Sequence, residues 1–244
     1  EMRLREALHV ALVEEGEVGG MSIVGVRTEG WVDDVLRRLS GSESLAELPQ
    51  PAGFEGQLRP YQVRGFSWLD FLLRWGFGAC LADDMGLGKT IQAIALFVRD
   101  LENGHADDLG RAPRPGRPPR PGRPAPPDRA ERLGRAARPV LVICPTSVLG
   151  NWRREIRRFA PSLDVLVHHG GDRITGAPFA ETAQHHHVVV TTYALARRDE
   201  ETLRDVAWRG IVVDEAQNIK NPAAKRTRAI RRLDADYRVA LTGT

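Results

Sequence analysis

The 244 residues are 42% hydrophobic, 27% charged and 6% aromatic, with 35 Lys+Arg against 32 Asp+Glu, a formal charge of +3 and a sequence pI near 9.2. That is chain enough for one large α/β domain, or a domain with an appendage, without disulfide or metal to hold it. No apolar run approaches the roughly 18 residues of a spanning helix and no charged-apolar-small leader opens the sequence, so neither membrane insertion nor secretion is expected. Cys80 and Cys144 sit in the apolar runs GACLA and VLVIC and read as buried free thiols of a reducing compartment. The chain opens on Glu1 and stops at Thr244 in an apolar-Thr-Gly-Thr run, and both ends read as cut from something longer.

Residues 1–57 read as the end of a preceding module: an amphipathic opening (Leu4, Ala7, Leu8, Ala11, Leu12), a strand at Ser22–Arg27, a helix near Trp31–Leu39, and then a linker around Pro49, Pro51, Gly53 and Gly56. From Leu58 the pattern becomes regular. Pro60–Trp75 is helical with Phe66, Leu69, Leu72 and Leu73 on one face, Gly78–Ala82 is a strand, and Lys89–Leu101 is a helix. Val140–Cys144 is purely apolar, the mark of a strand buried in a parallel sheet. A helix begins at Asn151 with Trp152, Ile156 and Phe159 inward and Arg153, Arg154, Arg157 and Arg158 outward. Strands at Asp164–His168, Val188–Thr192, Gly210–Asp214 and Tyr237–Leu241 alternate with helices near Pro178–Gln184, Ala194–Asp205 and Ala223–Leu233. Strand-helix alternation predicts a parallel sheet covered on both faces.

The basic balance is local. Residues 111–138 hold nine arginines against Asp128 and Glu131, a net of 9 − 2 = +7, which leaves 3 − 7 = −4 for the rest. With eight of the sixteen prolines between Pro113 and Pro127 and no β-branched or aromatic residue, the stretch lacks the means to bury a core, and a disordered insertion is expected at about 105–138. It reads either as a tether gripping phosphates or as filler at a permissive loop, the second being favoured.

The sharpest motif is Ala82-Asp83-Asp84-Met85-Gly86-Leu87-Gly88-Lys89-Thr90, between a predicted buried strand and a predicted helix. Gly86 and Gly88 let the backbone pass close to phosphates, Lys89 suits the terminal phosphates and the Thr90 hydroxyl suits Mg²⁺; the strict pattern asks for Gly where Asp83 stands. The strand Ile211-Val212-Val213 ends in Asp214-Glu215-Ala216-Gln217, the paired carboxylates that nucleotide hydrolysis needs, Asp214 to hold Mg²⁺ and Glu215 to take up the attacking water. Three further strand ends, Pro145-Thr146-Ser147, Thr191-Thr192-Tyr193 and Thr242-Gly243-Thr244, point to the same sheet edge, although each taken singly reads as a cap or turn. His168-His169 and His185-His186-His187 lack the spacing of a metal site and read as surface or strand-edge residues, Trp68 and Trp152 as core, and the basic helix Lys225–Arg232 as a solvated or DNA-facing surface.

LRPYQ, DDMGLGKT, the run from LVICPTSVLGNW, VVVTTY, VVDEAQNIKNP and LTGT, in that order, resemble the motifs of superfamily-two helicase-like ATPases of the SWI/SNF type, and of its bacterial branch in particular. The resemblance covers about Leu58 to Thr244 and implies an α/β fold, the first RecA-like lobe of a P-loop NTPase, preceded by a small N-terminal extension, with the second lobe beyond this chain. It implies Lys89, Asp214 and Glu215 as catalytic residues; Gln62, Asp83, Asp84, Met85, Gly86, Leu87, Gly88, Lys89, Thr90, Gln217, Thr242 and Thr244 around ATP; and Thr90 and Asp214 on Mg²⁺. Pro145, Thr146, Ser147, Thr192 and Tyr193 fall where the family touches DNA. The implied activity is ATP hydrolysis driving translocation on double-stranded DNA and remodelling of protein–DNA complexes, in the cytoplasm at the nucleoid, with the fragment alone weak or inactive. An RNA helicase lobe and a non-catalytic nucleotide-gated module are the alternatives.

Overall fold

The computed structural model describes residues 16–18, 21–23, 31–107 and 138–243. The chain divides after Glu47. In the smaller unit, β1 (Gly16–Val18) and β2 (Met21–Ile23) form an antiparallel pair with Gly16 opposite Ile23, and α1 (Trp31–Leu39) carries an Asp33–Arg37 ion pair one turn apart. The amphipathic opening and most of the predicted Ser22–Arg27 strand lie outside the described residues.

In the larger unit the elements are α2 (Pro60–Arg74), β3 (Ala79–Leu81), α3 (Lys89–Asp107), β4 (Val140–Cys144), α4 (Thr146–Phe159), β5 (Val165–His168), α5 (Ala177–Gln184), β6 (Val188–Thr192), α6 (Tyr193–Arg198), α7 (Glu200–Arg204), β7 (Trp208–Val213), a 3₁₀ turn (Ala216–Ile219), α8 (Lys225–Arg232) and β8 (Ala235–Leu241). The six strands β3 to β8 form one all-parallel sheet in the order β3-β8-β7-β4-β6-β5. β4 and β6 are interior strands buried along their whole lengths, as the unbroken apolar sequence of β4 demands, with Thr191 and Thr192 buried at the end of β6. Side chains alternate across the sheet. Leu141, Ile143, Val189 and Ile211 meet Phe179 of α5, Leu203 of α7 and Ile230 of α8 on one face, while the alternate Val142, Val190 and Val212 are fully buried on the other, where Phe97 of α3 stacks on Trp152 of α4. At Gly210 the Tyr237 ring of β8 leaves no room for a side chain: a Cβ there would stand 2.1 Å from the ring.

Several expectations need correction. The stretch expected to link two modules is packed: Gly53 N–H donates to Glu102 (2.9 Å), Glu55 N–H to the Phe159 carbonyl (2.7 Å), and Phe54 stacks on Phe159. Gln50 pins the turn by donating to the Gly56 carbonyl and accepting from Leu58 N–H. α3 runs to Asp107, past the expected start of the insertion, and Arg138 belongs to the scaffold. Its guanidinium donates to Asp236 (2.7 Å) and to the Ala207 and Trp208 carbonyls, beside Arg209 gripping Asp100 through two N–H groups. Residues 108–137 lie outside the described residues. α4 starts at Thr146 rather than Asn151, because buried Leu149 extends the stripe of Trp152 and Ile156 one turn back. The helix expected over Ala194–Asp205 breaks at Asp199. Cys80 is exposed, since β3 is an edge strand; Cys144 is fully buried, and burial with the nearby Asp214 charge pushes its thiol up to about 12. Among the described residues no helix is long and apolar enough to cross a membrane.

Candidate functional site

Because all six strands are parallel, the segments that follow β3, β4, β6, β7 and β8 emerge at one edge of the sheet, where ligands of open α/β folds sit. The loop after β3 turns through Gly86 (φ 84°) and Gly88 (φ 76°), left-handed conformations that favour glycine, and then enters α3 at Lys89. Open space faces Gly86, whereas a Cβ on Gly88 would meet the Gln62 amide at 2.4 Å. That amide, from α2, donates to the Leu87 carbonyl (3.2 Å), and its oxygen accepts the Arg59 N–H (3.0 Å), so Gln62 ties the start of α2 to the loop. Lys89 Nζ donates to the carbonyls of Asp83 (2.6 Å) and Asp84 (2.9 Å). Asp83, standing where the strict motif has glycine, accepts from buried Gln92 (3.1 Å) one turn into α3. Met85 at the loop tip is 80% exposed.

Asp214 closes β7, its N–H donating to the Ile143 carbonyl. Its Oδ1 accepts the Glu215 N–H (2.9 Å) and its Oδ2 accepts the Trp152 indole N–H (2.8 Å). Burial raises the Asp214 carboxyl above the usual carboxylate range, against the Trp152 and Glu215 hydrogen bonds and the Lys89 charge, which pull it down. Glu215 is left-handed at φ 52° and ψ 54°, the one non-glycine with positive φ among the described residues. Its carbonyl takes hydrogen bonds from the Tyr193 hydroxyl (3.1 Å) and from both the N–H and the side-chain amide of Asn218 (2.9 Å each). Gln217 donates to the Glu215 carboxylate (2.6 Å) and accepts from the Thr242 hydroxyl (2.9 Å). A continuous chain therefore runs from the end of β7 to the end of β8. Thr244 lies outside the described residues.

Of the residues matched to nucleic-acid contact, Thr146 and Ser147 are exposed at the start of α4 and Pro145 is half-buried before it. Thr192 and Tyr193 are buried, which removes their hydroxyls from any direct contact: Thr192 caps α6 by accepting the Leu195 N–H, and Tyr193 donates to the Asp214 and Glu215 carbonyls. Arg226, on the exposed basic face of α8, lies over the Tyr193 ring at 5.7 Å. His168 also departs from expectation. It is buried against Phe179 and bonded to Asp199 (2.9 Å), which Arg173 grips through two nitrogens (2.6 and 2.9 Å). Sequence reasoning placed Trp152 in the core but missed its bond to Asp214, and it missed the hold of Gln92 on Asp83; each joins residues that no local spacing relates.

A parallel sheet with a glycine loop at one strand end and paired carboxylates at another is the RecA-like lobe of a helicase-type ATPase. Residues 61–244 match the SNF2-related domain, and the chain belongs to that family. It is 44% identical over 210 residues to the putative ATP-dependent helicase/translocase YwqA of Bacillus subtilis, covering 86% of this chain and 20% of that protein. It is 31% identical over 213 residues to the TATA-binding protein-associated factor MOT1 of Saccharomyces cerevisiae, covering 86% of this chain and 10% of that one. Among solved structures it resembles the Sulfolobus solfataricus SWI2/SNF2 ATPase core in complex with dsDNA, with 41% identity, a TM-score of 0.61, and coverage of 82% of this chain and 34% of that chain. The chain thus spans a fifth or less of these curated relatives and about a third of the solved core.

Proposed function

We propose that this lobe binds ATP with Mg²⁺ and, with a second RecA-like lobe closing on it, drives translocation on double-stranded DNA and remodelling of protein–DNA complexes, in the cytoplasm at the nucleoid. The observation that carries the reading is the meeting of the Gly86–Thr90 loop with the Asp214–Glu215–Gln217–Thr242 chain at one sheet edge. The residues fit the nucleotide. Lys89 rests on two backbone carbonyls, acceptors that phosphate oxygens replace, and Gly86 leaves open space beside the loop. Each Asp214 oxygen accepts one N–H, which leaves lone pairs for a hard cation or its water.

Asp214 and the Thr90 hydroxyl would hold the metal, which when bound neutralises the charge developing on the transferring phosphoryl group. Gln62, which braces the loop through the Leu87 carbonyl, would contact the adenine, Lys89 would bind the phosphates, and the Glu215 carboxylate, steadied by Gln217, would take a proton from the attacking water. Because Gln217 also holds Thr242, a change at Glu215 is felt at the end of β8. Thr146 and Ser147, exposed at the start of α4, would meet the DNA backbone. The test is the ATPase rate of the intact protein with duplex DNA, single strands or RNA, for wild type, Lys89→Ala and Glu215→Gln. Duplex DNA should stimulate, Lys89→Ala should abolish nucleotide binding, and Glu215→Gln should bind but not hydrolyse. Stimulation by RNA and not by duplex DNA would replace this reading with an RNA helicase, and nucleotide binding without hydrolysis in the two-lobed protein would replace it with a gated binding module.

A further inference from the structure

We propose that Trp152 is a positioning residue whose indole N–H sets the Asp214 carboxylate in the orientation that receives the metal. The inference rests on the reading of Asp214 given above. Core packing accounts for a large ring at position 152, which is fully buried and stacked on Phe97 at 6.3 Å. It does not account for a tryptophan: a phenylalanine would fill most of the space without a buried donor to satisfy, and an indole carries one N–H and no acceptor. That N–H is spent on Asp214 Oδ2 at 2.8 Å, across 62 residues of sequence, and not on a backbone carbonyl, the partner that the equally buried Trp208 uses.

The other oxygen, Oδ1, is held by the N–H of left-handed Glu215. Two donors from different elements thus fix the carboxylate plane before any cation arrives. Neither donor occupies both lone pairs of its oxygen, so the group is oriented without being blocked. The indole itself cannot swing, because its helix is anchored by Leu149 and Ile156 on the same buried stripe and its ring by Phe97. Partners that orient a ligating carboxylate in this way typically contribute on the order of 10- to 100-fold in metal affinity.

The experiment replaces Trp152 with Phe and, separately, with benzothienylalanine, which keeps the bicyclic shape and puts sulfur where the N–H was. Mn²⁺ binding to the ATP-loaded protein is followed by electron paramagnetic resonance, and affinity for a fluorescent ATP analogue is measured in EDTA. Both variants should lose about tenfold or more in Mn²⁺ affinity while metal-free nucleotide affinity stays within about twofold of wild type, a split that general loosening of the core would not give. Wild-type Mn²⁺ affinity in the benzothienylalanine protein, or a parallel loss of metal-free nucleotide binding, overturns the proposal. Should Trp152→Phe fail to fold, the isosteric variant decides alone. Asp214→Asn is run beside them: if it leaves Mn²⁺ affinity unchanged, the assignment of Asp214 falls and this inference with it, whereas a loss there with none in the benzothienylalanine protein overturns the role of Trp152 only.

Discussion

Glu215 holds a backbone conformation that an L-residue adopts at a cost of roughly 1–2 kcal/mol, at φ 52° and ψ 54°. The hydrogen bonds that converge on its carbonyl from Tyr193 and Asn218 offset that cost and keep the residue in place. The comparison that isolates the strain is Glu215→Gly against Glu215→Ala. Both lose the carboxylate and its contact with Gln217, so they differ only in the backbone. Glycine removes the penalty of about 1–2 kcal/mol but loses about 0.4–1 kcal/mol through the greater freedom of its unfolded chain. The Gly variant should therefore be more stable than the Ala variant by about 1 kcal/mol, which for a unit of this size is roughly 2–4 °C in melting temperature. Thermal and urea unfolding measure the difference, and neither variant should hydrolyse ATP. An Ala variant as stable as the Gly variant, or more so, would show that no strain is stored at this position.

Gly210→Ala should destabilise by about 3 kcal/mol, since its Cβ would stand 2.1 Å from the buried Tyr237 ring; a melting temperature within 2 °C of wild type would refute the clash. Arg209→Ala takes from Asp100 the guanidinium that grips both its oxygens, while Asp236 keeps Arg138, and should cost about 2 kcal/mol, read as a lower urea midpoint. Burial holds the His168 imidazole below its ordinary value, against the pull of Asp199, so the native state favours the neutral ring. The unfolded chain then binds the extra proton, and the stability tied to neutral His168 is full above about pH 6.5 and is lost as pH falls from there toward the folded value. Asp199, held low chiefly by Arg173, adds a loss of the same sign below about pH 4. The melting temperature of wild type should fall more steeply than that of His168→Gln between pH 7 and 5; equal slopes would remove His168 from the account.

Parallel architecture and the chemistry-bearing edge were readable because strands alternate with helices, Val140–Cys144 is an unbroken apolar run and the glycine loop sits between a strand and a helix, signals that are local. What stayed hidden depends on contacts far apart in sequence. The expected helix over Ala194–Asp205 breaks because Asp199 is claimed by Arg173 and His168 from the β5 side, and nothing near Asp199 announces either partner. Cys80 sits in as apolar a run as Cys144, and only strand order separates the edge from the centre. Asn151 read as the start of a helix, but the packing of Leu149 carries that helix one turn further back. Tyr193 was matched to DNA contact by its motif, whereas its hydroxyl is used inside the lobe.

α3 begins in the glycine loop and runs 19 residues, about 28 Å, away from it to Asp107, and the chain is next described at Arg138, clamped by Asp236 at the start of β4. The end of α3 and the start of β4 therefore both stand at the end of the sheet remote from the carboxylates, and the guanidinium lock of Arg138 onto Asp236 and the Ala207 and Trp208 carbonyls ties the entry of β4 to β7 and β8.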